Sequence, residues 1–595
     1  MNYFERGDQM ANRTLGWIQN PSDFNSLQRV VQIFDPESTH YAALRDYLIE
    51  KYIPLVDIKK SLQEKLDHDE AVFSYFDLVG RSVDRFGNTA KRRALAVGSS
   101  LIQVSIPSQS AGTSGKYWTD NWTSDGYLRW AVSLNFVEYL RDKDAYQISQ
   151  QGLAFSQAES GEERDSILTD ALLAYPPATR ILSMLSERSP QNKFEMGHKL
   201  GFSGEPGFTS YSSDIMTDYL HQAENSGEAI SIRTDIEGTS DKYARMIAGW
   251  LSKLGLVSSK STKLSNVYLG TVSGFRDYSI TGRGMHIIRQ AQGSSSRAKV
   301  PKFVMWEFFA TTGSDRDYVR SRRATILRLM MNTPTKSFNS LVVALKNRGF
   351  SDNPAIIKND IHGLDGIGIR ISTDGITVHL FDTIKSFDIP KIQGQNRTLE
   401  KIERDSRKAA FLAKTSLPPR FIELLSIAYE SKSNRDFEMI TAELFKDVYG
   451  LGAVHLGNAR KPDALAFTDN FGIVIDTKAY SNGYSKNINQ EDEMVRYIED
   501  NQIRSPERNK NEWWLSFPPS IPENNFHFLW VSSYFTGYFE EQLQETSDRA
   551  GGITGGALDI EQLLIGGSLV QEGKLAPHEI PEYMQNRVIH FGDLN

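Results

Sequence analysis

A chain of 595 residues is too long for one core and calls for several domains, while its 39% hydrophobic and 24% charged residues are ordinary for globular proteins. No apolar run approaches the roughly 18 residues a membrane span needs, and zero cysteines exclude disulfides, thiolate metal sites and cysteine nucleophiles. The net charge of −7 excludes a uniformly basic nucleic-acid protein, yet residues 421–595 carry −13, which leaves +6 on residues 1–420. A polyanion is therefore expected on the front part, with the back part reaching it only when tethered and supplied with counterions. The stretch from Met1 to Gln19 is too polar for a signal peptide, and a reducing cytoplasm is the expected location.

In chain order, the first signal is a weak internal repeat. Ser124, Asp125, Gly126, Tyr127, Leu128, Arg129 returns as Ser240, Asp241, Lys242, Tyr243, Ala244, Arg245. Each copy predicts an amphipathic helix with the Ser as N-cap, the Asp in the first turn and the Arg on an exposed face. The helices exit at Asn135 and Gly255, residues suited to a left-handed position, and strands follow. Tyr146, Gln147, Ile148, Ser149 with Gly152 then echoes Tyr278, Ser279, Ile280, Thr281 with Gly284, predicting a strand that ends at the cap of another helix. Helix, strand, strand, cap, helix is winged-helix order, most often a DNA-binding one. A third unit is predicted over Tyr318 to Leu380, with helices near Arg322 to Met331 and Phe338 to Asn347 and a strand Ile376 to Leu380. Thr383 to Lys401, with Pro390, Gly394 and no periodicity, reads as a linker.

In the acidic part, Ala464 to Phe467 and Phe471 to Ile475 are apolar runs around Thr468, Asp469, Asn470, the pattern of a hairpin. Pro462 and Asp463 open the first strand; Asp476, Thr477 and Lys478 end the second. Strand alternation predicts Asp476 and Lys478 on one face and Thr477 on the other. Asp463 and Asp476, with a nearby backbone carbonyl, form an oxygen-rich site suited to Mg²⁺, which lowers the pKa of bound water and offsets charge on a scissile phosphate. Lys478 would orient that water. The same residue types on a solvated strand are more often an idle pair, but here they end a nearly continuous apolar strand, at the lip of a buried sheet. Glu438, on a predicted helix from Asp436 to Tyr449, is a candidate additional carboxylate; a solvated helix face is the alternative.

Several stretches together resemble one family. His455, Leu456, Gly457 through Lys461, Pro462, Asp463, then Val474 to Ser481, then Asp492, Glu493, Met494 with Arg496, Tyr497, are similar to the cleavage domain of the FokI-like type IIS restriction endonucleases. So are Asn511 to Trp514 and Leu563 to Gly567, and in the front part Gly16 and Trp17 with Gln19, Asn20, Pro21; Asp120 to Trp122; Gly201 to Glu205; and Ser240 to Met246. The resemblance implies winged-helix recognition subdomains followed by an α/β PD-(D/E)xK nuclease domain with a central mixed sheet flanked by helices. It implies Asp463, Asp476 and Lys478 as catalytic residues, Asp463 and Asp476 as Mg²⁺ ligands, and Asp492 and Arg496 in a cleavage-domain dimer. Within the chain alone, Asp492 and Arg496 make an ordinary i,i+4 pair on a helix Glu491 to Gln502. DNA contacts are expected from Gln19, Asn20, Arg93, Gln109, Trp122, Glu237, Lys242 and Arg245. Arg245 suits guanine and Glu237 cytosine N4.

The expected layout is recognition subdomains at 1–160 and 161–297, a winged-helix-like unit at 298–382 facing the nuclease, a linker at 383–401 and the nuclease at 402–595. The expected activity is Mg²⁺-dependent hydrolysis of both strands of double-stranded DNA at a fixed distance from a short asymmetric site, possibly of GGATG type. Direct attack by metal-bound water would leave 5′-phosphate ends, cleavage domains would dimerise transiently, and a cognate DNA methyltransferase is expected in the cell. The rival is a winged-helix transcription regulator with a non-catalytic C-terminal effector domain.

Overall fold

The computed structural model describes the chain except residues 1–2, 5–13, 93–94, 108–117, 294–298, 314, 392–398, 431–432, 458–459, 487 and 595. Three three-stranded sheets of one design recur along it. In each, an early short strand pairs antiparallel with the second strand of a later hairpin. The hairpins are Val137–Leu140 with Ala145–Ile148, Val257–Asn266 with Gly270–Ile280, and Ile371–Thr373 with Thr377–Leu380.

Helices α1 (Asn121–Ser133), α2 (Thr239–Lys253) and α3 (Pro354–Gly366) lead into these hairpins. Asn135 and Gly255 adopt the left-handed φ values of 58° and 69° that end α1 and α2. Ser149 and Thr281 cap the following helices by accepting from the amides of Gly152 and Gly284. Those glycines are fixed by space: a Cβ would meet the Phe136 carbonyl oxygen at 1.9 Å and that of Leu256 at 2.1 Å.

The predicted serine caps of α1 and α2 lie elsewhere. Asp120 caps α1 by accepting from the Thr123 amide, and α2 starts at Gly238, whose amide donates to the Asp241 carboxylate. Ser124 sits one turn inside α1 and Ser240 is the second residue of α2; both are buried, and their hydroxyls donate to carbonyls. Arg129 and Arg245 are ion-paired, to Asp125 at 2.6 Å and to Glu237 at 2.7 Å.

In the third unit the predicted helices run Arg316–Asn332 and Phe338–Lys346. Sequence reasoning missed α3, although Asn353, whose side chain accepts from the Ala355 amide, followed by Pro354 is a helix-start signal. Its glycines Gly363 and Gly366 are there for close packing, since a Cβ on Gly363 would strike the Phe202 ring at 2.2 Å.

Stacked Trp130 and Trp250, at 4.7 Å between centroids, join α1 to α2. The stretch 383–401 is not uniform. Thr383 and Lys385 bond to the Lys302 backbone at 2.8 Å, Ile389–Pro390 pairs with Tyr3–Phe4, and the helix Leu399–Lys414 follows.

The back part holds a six-stranded mixed sheet: β1 (Gly452–His455), β2 (Ala464–Phe467), β3 (Gly472–Lys478), β4 (Phe526–Ser532), β5 (Gly555–Asp559) and β6 (Arg587–Val588), in that order. The first three are antiparallel and β3 to β6 parallel. Side chains alternate along the buried strands, so apolar clusters form on both faces. One holds Ile473, Ile475, Leu529 and helix α4 (Asn434–Asp447); the other holds Val474, Phe528, Trp530, Trp513, Trp514 and helix α5 (Ile488–Ile503). No described helix is long and apolar enough to cross a membrane.

Gly152→Ala and Gly284→Ala are each expected to lower stability by about 1–3 kcal/mol in denaturant unfolding. Wild-type midpoints would refute the steric reading of the repeat.

Candidate active site and recognition surface

The β2–β3 ladder pairs Ala464 with Ile475. One step beyond it, where pairing stops, Asp463 and Asp476 come opposite each other across the hairpin mouth. Lys478 Nζ donates to Asp476 Oδ2 at 2.6 Å, so the strand alternation predicted for Asp476 and Lys478 holds. Thr477 lies between them in the ladder, opposite Val531 on the other face, and its amide and hydroxyl both donate to Asp463 Oδ2, at 2.7 and 3.0 Å. Asp463 precedes β2, so no ladder fixes its side chain, which folds over the end of β3. Its own carbonyl accepts from the Leu456 amide at 2.9 Å.

The electrostatics of this corner are those of confined like charges. Burial raises the Asp463 carboxyl well above its ordinary value, and the charges of Asp476 and Glu438 raise it further, against Lys478 and the Thr477 amide. Burial alone would lower the Lys478 ammonium, but Asp476 and Asp463 outweigh it and hold it above its ordinary value. Glu438 on α4 meets His455 Nε2 at 3.3 Å. No three His, Asp or Glu side chains close on one point among the described residues. The donor set that remains is two carboxylates beside backbone oxygens, which suits an octahedral cation that keeps several waters. The negative charge that crowds Asp463 beside Asp476 is relieved by such a cation, so the two carboxylates fit Mg²⁺.

Around the corner stand residues that sequence reasoning passed over. Tyr484 and Tyr497 feel the Asp476 charge. Tyr219, from the front part, donates to the Leu456 carbonyl at 2.6 Å and lies 3.3 Å from His455 Nδ1. More contacts join the two parts: Tyr211 to Asp436, the Ser212 amide to Glu443, and Lys446 to Asp214, with Met439 of α4 buried among Phe194, Tyr211 and Ile215. Only a tertiary contact brings these residues together, so no local spacing announces them.

Asp492 and Arg496 do not pair along α5. Asp492 instead bonds Arg549, and the Arg496 guanidinium lies 5.3 Å from the Tyr497 ring centroid, its Nε without a hydrogen-bond partner among the described residues.

On the front part, the Asn20 amide donates to the Gln19 carbonyl at 3.1 Å and accepts from Trp122 Nε1 at 2.7 Å, in the orientation that satisfies both ends. Trp122 is 62% exposed at the start of α1. Glu237 is buried, its carboxylate held by Lys193 and Arg245, each at 2.7 Å, so accepting from a base would require exchanging a partner. Lys242 is half-buried in the first turn of α2. Arg93 and Gln109 lie outside the described residues.

A PD-(D/E)xK-type site at the lip of a mixed sheet, joined to winged-helix-like units, defines a nuclease with a separate recognition part. Residues 13–158 match the family model for the FokI recognition domain, subdomain 1; residues 164–296 match subdomain 2, 309–375 the FokI D3 domain, and 400–590 the FokI cleavage domain. The type II restriction enzyme FokI of Planomicrobium okeanokoites is 39% identical over 97% of this chain and 99% of its own. The type II restriction enzyme StsI of Streptococcus sanguinis is 28% identical over 96% and 95%. Among solved structures, restriction endonuclease FokI superposes with a TM-score of 0.84 at 37% identity, covering 97% of this chain and 100% of that one. FokI bound to DNA gives 0.85 at 38%, covering 98% and 100%. The chain belongs to the FokI family of type II restriction enzymes, site-specific deoxyribonucleases, and the regulator reading falls.

Burial lifts the Glu443 carboxyl from 4.5 to about 7, against Arg420 and the Ser212 amide. A carboxyl raised by folding contributes stability that is complete below its unfolded pKa and lost as pH climbs through the folded one. Glu443→Gln is therefore expected to flatten part of the fall in melting temperature between about pH 5 and pH 7. An unchanged slope would contradict this.

Proposed function

We propose that the chain is a type IIS endonuclease that binds a short asymmetric double-stranded DNA site through residues 1–382 and cuts both strands to one side with residues 402–595, linked by 383–401. The observation that carries this is the meeting of Asp463, Asp476 and Lys478 at the sheet edge of an acidic part that follows a basic one. Asp463 and Asp476 would hold Mg²⁺, which supplies a coordinated water of lowered pKa and offsets charge gathering on the scissile phosphate. Lys478, fixed by Asp476, presents its remaining N–H groups to the attacking water or a phosphate oxygen. Thr477, through amide and hydroxyl, keeps Asp463 turned into the site. Attack in line with the 3′-oxygen leaving group yields 5′-phosphate and 3′-hydroxyl ends.

Charge supports the division of labour, since an acidic cleavage part binds DNA feebly alone and depends on its anchor for local concentration. On the anchor, Trp122, Asn20, Gln19, Lys242 and Arg245 are the described candidates for contact. One site serves one strand, so a second cleavage domain completes the cut. Asp492, half-exposed, and Arg496, without a carboxylate partner among the described residues, suit that interface once Asp492 leaves Arg549. A methyltransferase of the same specificity would protect the host DNA.

Asp463→Ala and Lys478→Ala are each expected to keep site binding in a gel shift and lose Mg²⁺-dependent plasmid cleavage by at least about 10²-fold. A fragment beginning near Lys401 should bind DNA weakly and without site preference. Normal cutting by either variant, or tight site-selective binding by the fragment, would overturn the proposal.

A further inference from the structure

Six residues beyond Lys478, Tyr484 is buried with 2% of its surface exposed, and its hydroxyl has no hydrogen-bond partner among the described residues. A buried phenol usually finds a partner. Tyr484 cannot turn to seek one. Its amide donates to the Tyr534 carbonyl at 2.8 Å, and its carbonyl accepts from the Thr536 amide at 2.9 Å. Its ring is stacked on Tyr480, nearly parallel at 5.9 Å, and wedged against Phe535 and Phe539. Gly483, in left-handed conformation, makes the turn possible, since a Cβ there would meet the Tyr534 ring at 2.5 Å. The lone hydroxyl is therefore held in place by the loop that leaves the catalytic strand. The Tyr484 ring shares an apolar cluster with Trp530, the residue that pairs with Asp476 across the β3–β4 ladder, and after burial Asp476 is the charge that acts on the hydroxyl most strongly.

We infer that Tyr484 is a positioning residue of the cleavage site, its hydroxyl donating to a water held beside Asp476 and Lys478 and so fixing Asp476 in the orientation that binds a divalent cation. This rests on the nuclease reading above. Groups that orient metal-binding carboxylates in this way typically change affinity or rate by about 10–100-fold. A purely structural tyrosine would have no such effect.

Tyr484→Phe keeps the ring and removes only the hydroxyl, and Tyr484→Met serves if the first variant folds poorly. In the full chain, Mn²⁺ binding followed by electron paramagnetic resonance is expected to weaken about 10-fold, and single-turnover cleavage of site-bearing plasmid to slow about 10–100-fold. The metal-free melting temperature should stay level or rise. Unchanged Mn²⁺ affinity, with or without a slower cut, would overturn the assignment. Absence of Mg²⁺-dependent cutting by the wild-type chain would instead defeat the nuclease reading, so the two failures are distinguishable.

Discussion

Asp463 and Asp476 face each other where the β2–β3 hairpin runs out of ladder, and burial with mutual repulsion raises the Asp463 carboxyl far above its ordinary value. Two carboxylates so confined are costly unless positive charge joins them. Lys478 supplies part of it through its 2.6 Å bond to Asp476, and the Thr477 amide and hydroxyl supply oriented dipoles. The rest of the back part explains how this corner is kept. Buried strands packed on both faces fix the ends of β2 and β3, and the loop through Tyr484 is sewn to the chain after β4 by two backbone bonds.

The front part relates to the corner by contact as well as by tether. Tyr219 reaches the Leu456 carbonyl beside it, and α4 carries both Glu438, facing His455, and Glu443, bonded to the Ser212 amide. One helix thus borders both the site and the recognition part. The strap from Ser210 to Ser212 also reaches the start of α2, where Ser210 donates to the buried Asp241 at 2.5 Å. The start of α2 and the cleavage part are therefore only a few bonds apart.

Much of this was legible in the sequence wherever local rules govern. The left-handed exits at Asn135 and Gly255, the caps at Ser149 and Thr281, and the Asp476–Lys478 alternation each follow from a few neighbouring residues. The rules failed where tertiary contact decides. Ser124 and Ser240 look like caps yet lie inside their helices, because Asp120 and Gly238 already start them. Gly363 and Gly366 sit inside α3 against their helix propensity, their missing side chains being required by Phe202 and Gly201. Asp492 and Arg496 have ideal spacing for each other, but Arg549 of a separate helix takes Asp492. Asp463, one residue before its strand begins, reaches over to the Thr477 amide and hydroxyl, a contact no local spacing announces.

Asp463 and Asp476 are proposed to share one divalent cation. Crystals of the full chain soaked in Mn²⁺ and measured at the manganese edge test it directly. An anomalous peak touching one oxygen from Asp463 and one from Asp476 is expected. A cleft without a peak at saturating Mn²⁺, or a peak bound by only one of the two, would contradict it.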